Sequence, residues 1–230
     1  MDRPRFLRSR LLLDFWNIQS GWNDAVKTTW VQGVDPKLDW AAFPKLVLTA
    51  AAQALRATDG FRDDTVLDTR PGAFTKRMFV GLHPDASRTF YTKTLVEQGG
   101  YEPPFIRTNP RRDLDVECRS CKQEIRDCTG CGQRLVHYPE KGVDVALSTD
   151  MLLHATKALP EGQTAADVVL LCSGDTDFVP AVQAAQHLGL PVVVASWNRQ
   201  ANELFQVADA VVLLDEHIKR LQWHPKHRGR

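Results

Sequence analysis

The sequence predicts an α/β protein, a three-layer α/β/α sandwich around a mostly parallel sheet, with one small cysteine-rich insert. Two patterns point there. Short, continuously apolar runs recur along the chain, and segments with helical spacing of ten or more residues separate them. Strands that are apolar on both faces and joined by helices imply a parallel sheet covered on both sides. Size agrees: 230 residues, 43% of them hydrophobic and 25% charged, suffice for one domain whose core folds unaided.

Each element is justified in order. Residues 10–15 (RLLLDF) read as a buried strand. Residues 19–37 are rich in Gly, Asn, Asp and Trp and read as a loop. Residues 38–57 place apolar side chains at helical spacing among many alanines and read as a long helix. Residues 76–82 form a second strand, residues 86–97 a helix closed by Gly99-Gly100, and residues 103–107 a third strand. After the cysteine-rich stretch come a helix over 142–159 stopped at Pro160 and a strongly apolar strand over 167–172. A helix over 178–188, a strand over 191–197, a short helix over 201–207 and a last strand over 210–214 complete the pattern. The expected organisation is a domain over 1–215, an insert over 115–138 within it, and a basic tail over 216–230.

Composition excludes some classes. Mean hydropathy is −0.30, and no apolar run approaches the ~18 residues of a membrane helix. The basic start MDRPRFLRSR is followed only by Leu11 to Leu13 before Asp14, short of the roughly 7–15 apolar residues of a secretory signal. A cytoplasmic location is the default expectation. Lys plus Arg is 29 against 28 Asp plus Glu, a formal charge of +1, so overall charge names no partner. Basic residues do cluster, at Arg3, Arg5, Arg8 and Arg10, at Arg107, Arg111 and Arg112, and at Lys219, Arg220, Lys226, Arg228 and Arg230. Such patches can bind a polyanion, or can simply be solvated ends.

Acidic residues fall where strands end. Asp14 closes the first strand in Asp14-Phe15-Trp16-Asn17, and Asp175 and Asp177 follow the 167–172 strand in Ser173-Gly174-Asp175-Thr176-Asp177. Asp144 opens a helix. In open parallel sheets ligands bind beyond the carboxyl ends of the strands, at a topological switch point. Carboxylates gathered there repel one another unless cations neutralise them, and an oxygen-only set suits Mg²⁺ or Mn²⁺. That is equipment for metal-assisted phosphodiester hydrolysis. Asp175 or Asp177 can instead cap the following helix, and Asp144 can serve a helix dipole. Asp14 is harder to explain that way, since a carboxylate closing an apolar strand is costly unless paired or metal-bound. Asp150 lies about 9 Å from Asp144 along the same helix, at the opposite edge of its apolar stripe. It is a second-rank metal candidate, a base-orienting group or a half-buried helix carboxylate.

The strand-terminal Asp14-Phe15-Trp16-Asn17, the segment Lys141-Gly142-Val143-Asp144 continuing to Asp150, and Ser173-Gly174-Asp175-Thr176-Asp177-Phe178-Val179-Pro180 occur in this order. Together they resemble the NYN domain of the PIN-like nuclease superfamily, over most of residues 10–215. The resemblance implies metal-dependent ribonuclease chemistry on RNA, with DNA also open, and an endonucleolytic mode. It implies Asp14, Asp144 and Asp175 as metal-binding carboxylates, Asp177 completing the cluster, Asn17 contacting water or substrate, and Ser173 and Thr176 as supporting hydroxyls. Such folds also host catalytically weak binding or scaffolding modules. A haloacid-dehalogenase-type phosphatase fits poorly, because Trp16 stands where its second Asp is needed.

Four of the five cysteines form Cys118-Arg-Ser-Cys121 and Cys128-Thr-Gly-Cys131. Two such pairs make a tetrahedral four-thiolate Zn²⁺ site, closed and therefore structural. Paired disulfides or redox thiols are the competing reading, and disulfides are disfavoured without an export signal. Arg111, Arg112, Arg119, Lys122, Arg126 and Arg134 surround the insert and suggest a basic flap gripping a nucleic-acid backbone. Cys172 reads as core. Trp16, Trp22 and Trp30 follow the first strand and either stack on bases or pack as a lid.

Overall fold

The computed structural model describes residues 6–28, 37–58, 60–61, 63–117, 120–198 and 203–223. Six strands form the central sheet: β1 (Ser9–Asp14), β2 (Phe74–Leu82), β3 (Phe105–Thr108), β4 (Val168–Cys172), β5 (Val192–Ser196) and β6 (Ala210–Leu213). They lie in the order β6-β5-β4-β1-β2-β3, and every neighbouring pair is parallel. The expected α/β sandwich is present.

Strand alternation separates two cores. Leu11 and Leu13 of β1 face one side with Leu170, Cys172, Val193 and Ala195. Leu12 faces the other, with Val169, Leu171, Val192 and Val194. Helices α1 (Phe15–Thr28) and α2 (Phe43–Arg56) cover the first side. Helices α3 (Val143–Thr156), α4 (Val179–His187) and α5 (Glu203–Val207) cover the second. Residues Phe90–Gln98 form a π-helix where an ordinary helix is expected from the sequence; its Tyr91 and Leu95 reach the first core.

One expectation is overturned outright. Residues 19–28 are not loop but most of α1, which begins as soon as β1 ends. Their Gly and Asn content hides a helical stripe, since Ile18, Trp22, Ala25 and Val26 all enter the core. Gly21 is in the helix because Trp197 packs there: a β-carbon would lie 1.8 Å from Trp197 Cδ1. Trp197 is itself fully buried and donates from its indole to Ile18 O at 3.1 Å.

Ends and insert complete the chain. Past residue 215, α6 (Ile218–Leu221) packs back with Leu221 wholly buried, so the body runs to at least Trp223. Lys226, Arg228 and Arg230 lie outside the described residues, as do Arg3 and Arg5. Within the insert, Arg112–Asp113 pairs antiparallel with Val136–His137, and Val116–Glu117 with Glu124–Ile125. No helix among the described residues is long and apolar enough to cross a membrane.

Candidate functional site

The strand order reverses direction between β1 and β4, the adjacent strands from which the chain winds outward both ways. A crevice opens at such a reversal, outside the carboxyl ends. Register sets its floor: Cys172 pairs with Leu13, so Ser173 stands level with Asp14.

Asp14 is 6% exposed. Its Oδ1 accepts from Asn17 N at 3.3 Å, capping α1, and its Oδ2 accepts from the Ser173 hydroxyl at 2.9 Å. Ser173 Oγ accepts in turn from Asp175 N at 3.2 Å, and Asn17 Oδ1 from Gly174 N at 2.8 Å. These bonds lock the loop after β4 onto the head of α1. Asp175 Oδ1 caps the 3₁₀ turn Thr176–Phe178 by accepting from Asp177 N at 3.0 Å. Capping therefore falls to Asp175, while Asp177 and Thr176 are exposed at the turn.

Asp144 lies in the first turn of α3 and is the common electrostatic neighbour: it feels Asp175 and Asp177, and Asp14 and Glu140 feel it. Burial, then these carboxylates, raise its pKa. Asp14 is pushed up to about 7, chiefly by burial and further by Glu140 and Asp144, against the Ser173 and Asn17 hydrogen bonds. Glu140 is also raised, by burial of its carboxylate and by Asp144, despite the hydrogen bond from Gly81 N.

Glu140 is the group sequence reasoning missed. It stands two residues before Gly142 in the same segment as Asp144, but its part comes from Gly81 of β2, whose N–H it accepts at 2.9 Å. A β-carbon on Gly81 would lie 2.3 Å from Glu140 Oε2 and 2.5 Å from Asn109 Oδ1. Both oxygens therefore flank one glycine, and Asn109 Oδ1 is buried without a hydrogen-bond partner. Trp16 closes this side, donating from Nε1 to Gly81 O at 2.6 Å while its ring stays 45% exposed. Trp22 belongs to the core, and Trp30 lies outside the described residues.

Asp150 is not brought to this cleft. Arg10 holds it at 3.0 and 2.9 Å through two nitrogens, and Arg77 adds a third contact at 3.1 Å. It acts as a buried ion-pair partner, which removes it from the metal candidates. Arg8 likewise pairs with Asp167 at 3.0 Å. The described arginines of the N-terminal basic cluster thus face carboxylates of their own chain.

The insert divides its charges similarly. Lys122 pairs with Glu117, Arg126 with Asp115 and Glu124, and Arg134 with Asp113 and Asp115. Arg111 and Arg112 are exposed, and Arg119 lies outside the described residues. Arg107, at the carboxyl end of β3, lies against Gly142, where a β-carbon would meet its Nη1 at 2.9 Å. It stands at the rim of the cleft beside α3.

Cys118 is outside the described residues; Cys121, Cys128 and Cys131 are free thiols. Cys128 has its pKa lowered by hydrogen bonds from the backbone of Cys131 and Gly130 and from the Cys131 thiol. The residue after the second cysteine of each pair has positive φ, Lys122 at 63° and Gly132 at 68°. Among the described residues, no three His, Cys, Asp or Glu side chains are grouped so as to hold a metal ion.

Residues 117–215 match the NYN domain family model. The match contains Glu140, Asp144, Asp175 and Asp177; Asp14 and Asn17 lie before it and reach the cleft through the sheet. Among solved structures, the chain is similar to a protein of unknown function from Vibrio parahaemolyticus, at 15% identity and a TM-score of 0.50. That likeness covers 97% of this chain and 100% of the other, and it concerns the fold. No curated protein matches the chain.

Proposed function

We propose that this protein is a divalent-metal-dependent ribonuclease of the NYN/PIN-like kind, cutting RNA phosphodiesters within the chain. The observation that carries this reading is the placement of the buried Asp14 carboxylate at the switch point, hydrogen-bonded to the Ser173 loop, with Glu140, Asp144, Asp175 and Asp177 as the surrounding negative charges. Uncompensated negative charge at a sheet edge is the electrostatic signature of a cation site. The matched NYN segment supports the same chemistry.

The donors fit a hard cation. All are oxygens, and Asn109 adds a buried carbonyl oxygen with no partner. Mg²⁺ commonly takes only one or two carboxylates and completes its shell with water and phosphate, so a full protein cage is not required. Asp14, Asp144 and Asp175 would hold the ion, with Asp177 and Glu140 at its border. When bound, it supplies Lewis acidity toward the phosphate and a more acidic water. The chain does the rest. Ser173 and Asn17 fix the Asp14 carboxylate, Glu140, held by Gly81 N, would take the proton from the attacking water, and Arg107, Arg111 and Arg112 would hold flanking phosphates.

Cleavage of a generic RNA with added Mg²⁺ or Mn²⁺ tests this. Wild type should cut, and Asp175→Asn, Asp144→Asn and Asp14→Asn should each lose at least 100-fold, on the order of a lost electrostatic contact in catalysis. Full activity in those variants, or none in wild type, would sink the reading. The latter result would favour a binding module with a vestigial site.

For the insert we propose a structural Zn²⁺ held by Cys118, Cys121, Cys128 and Cys131. The N–H groups aimed at Cys128 and the left-handed residues after Cys121 and Cys131 are what a thiolate knuckle needs. Purified protein should carry about one zinc per chain, and Cys128→Ser should release it. Elemental analysis showing none, with all four thiols blocked, would indicate disulfides.

A further inference from the structure

A cavity that the proposed cleavage chemistry does not use lies along α1. From the head of the helix, Trp16, Gln19 and Asn23 follow at spacings of three and four and so share one face. Gln19 and Asn23 lie about 7 and 13 Å beyond Asp14 along the axis. They line a cavity of about 590 Å³ whose walls also include Trp40, Phe90, Gln98 and Trp223.

Its composition is specific. Trp40 is stacked on Phe15, with centroids 4.9 Å apart and planes 29° apart, and Phe15 is the residue after Asp14. Phe90 is 37% exposed and meets Phe15 edge-on at 6.4 Å. The aromatic wall is thus tied rigidly to the strand end that carries the buried carboxylate. Three side-chain amides share the lining with Lys37 and Asp39; Gln19 Nε2 donates to Asn23 Oδ1 at 2.8 Å, which orients that pair. Flat aromatic faces with amide donors and acceptors suit a planar heterocycle that presents hydrogen-bonding edges.

We propose that this cavity takes an unpaired nucleobase of a single-stranded nucleic acid whose neighbouring phosphodiester lies at Asp14. The proposal rests on the nuclease reading for its occupant and deepens it, because a base stacked on the exposed Phe90 ring inside the cavity must be out of any duplex. Trp16, held by Gly81 beside the cleft, offers the next stacking face. The protein therefore selects single strands.

The test separates the cavity from the cleft. Affinity for a labelled ten-nucleotide single strand and for the blunt duplex of the same sequence is measured in EDTA, where no cleavage occurs. Wild type should prefer the single strand. Phe90→Ala should weaken it roughly 5- to 150-fold, the range for a lost base-stacking contact, and Gln98→Ala should weaken it less. Both variants should bind duplex as wild type does and still hydrolyse bis(p-nitrophenyl) phosphate, which has no base, if the cleft is a nuclease. Unchanged single-strand affinity, or equal losses on both forms, would overturn the proposal. Should Phe90→Ala fail to fold, photocrosslinking of a 5-bromouridine strand to wild type serves instead. Adducts on Trp40, Phe90 or Trp223 support the cavity, and adducts only elsewhere refute it. Failure of the nuclease reading would show separately, as loss of bis(p-nitrophenyl) phosphate cleavage with single-strand preference intact.

Discussion

Asp14 does three things at once: it ends β1, caps α1 and enters the carboxylate cluster. Capping and the Ser173 hydrogen bond favour its ionised form, yet burial wins and holds the folded pKa near 7. A carboxyl whose pKa is raised on folding contributes stability below its unfolded value and loses it as pH rises through the folded value. The window here runs from about 4 to about 7, and the shift corresponds to something on the order of 4 kcal/mol. Asp14→Asn should therefore melt higher than wild type at pH 8, the two should converge near pH 4, and added Mn²⁺ should narrow the gap by stabilising only wild type. Thermal denaturation at both pH values checks this; a variant less stable at pH 8 would mean that the cap outweighs the repulsion. At this scale the sequence was most informative where a residue type conflicts with its surroundings. Asp14 after Leu11 to Leu13 is such a conflict. Glu140, in a polar segment beside Lys141, is not, and only its contact with Gly81 reveals it.

Element boundaries were legible to within a few residues for all six strands, because each contains a short apolar run. The exception is α1, where glycine and asparagine disguised a helix whose buried face Trp22 and Ile18 supply. Pairing between distant elements was not legible. Arg10 in β1 and Asp150 in α3 are separated by 140 positions and meet only because β1 pairs beneath α3. Burial would raise the Asp150 pKa, but the Arg10 hydrogen bonds and charge, with Arg77 and His154, hold it below the usual carboxylate range. A depressed carboxyl stabilises above its unfolded pKa and ceases to do so as pH falls through the folded value. Asp150→Ala leaves the Arg10 guanidinium, which is 5% exposed, with Glu102 as its remaining carboxylate partner, and should cost about 3 kcal/mol at pH 7. The loss should shrink as pH falls below about 4, the unfolded carboxyl value, and vanish only below the depressed folded value. Urea unfolding at pH 7 and pH 3.5 measures both; a cost under about 1 kcal/mol at pH 7 would show that Glu102, 2.6 Å from Arg10, compensates alone.

Across the whole molecule, a near-neutral chain must hold a polyanion against its own acidic cleft. Formal charge is +1, so attraction depends on which cations are left over after internal pairing. Arg8, Arg10, Lys122, Arg126 and Arg134 all face carboxylates of the same chain. Exposed pairs of this kind are weak individually, yet they cancel charge at a distance and so remove most of the insert's pull on phosphate. Arg107 at the cleft rim, with Arg111 and Arg112 at the base of the insert, remains the best placed set. Each phosphate contact on a single strand contributes about 0.7 to the slope of log affinity against log salt. Replacing Arg107, Arg111 and Arg112 by Gln should therefore flatten that slope by about two units and weaken binding alike across sequences. Replacing Lys122 and Arg126 should leave it nearly unchanged while loosening the insert. Titrations of a single-stranded RNA between about 50 and 200 mM salt, in EDTA, discriminate the two sets. A flattened slope for Lys122 and Arg126 alone would return the grip to the insert and make its ion pairs a feature of the free protein that binding exchanges for phosphate.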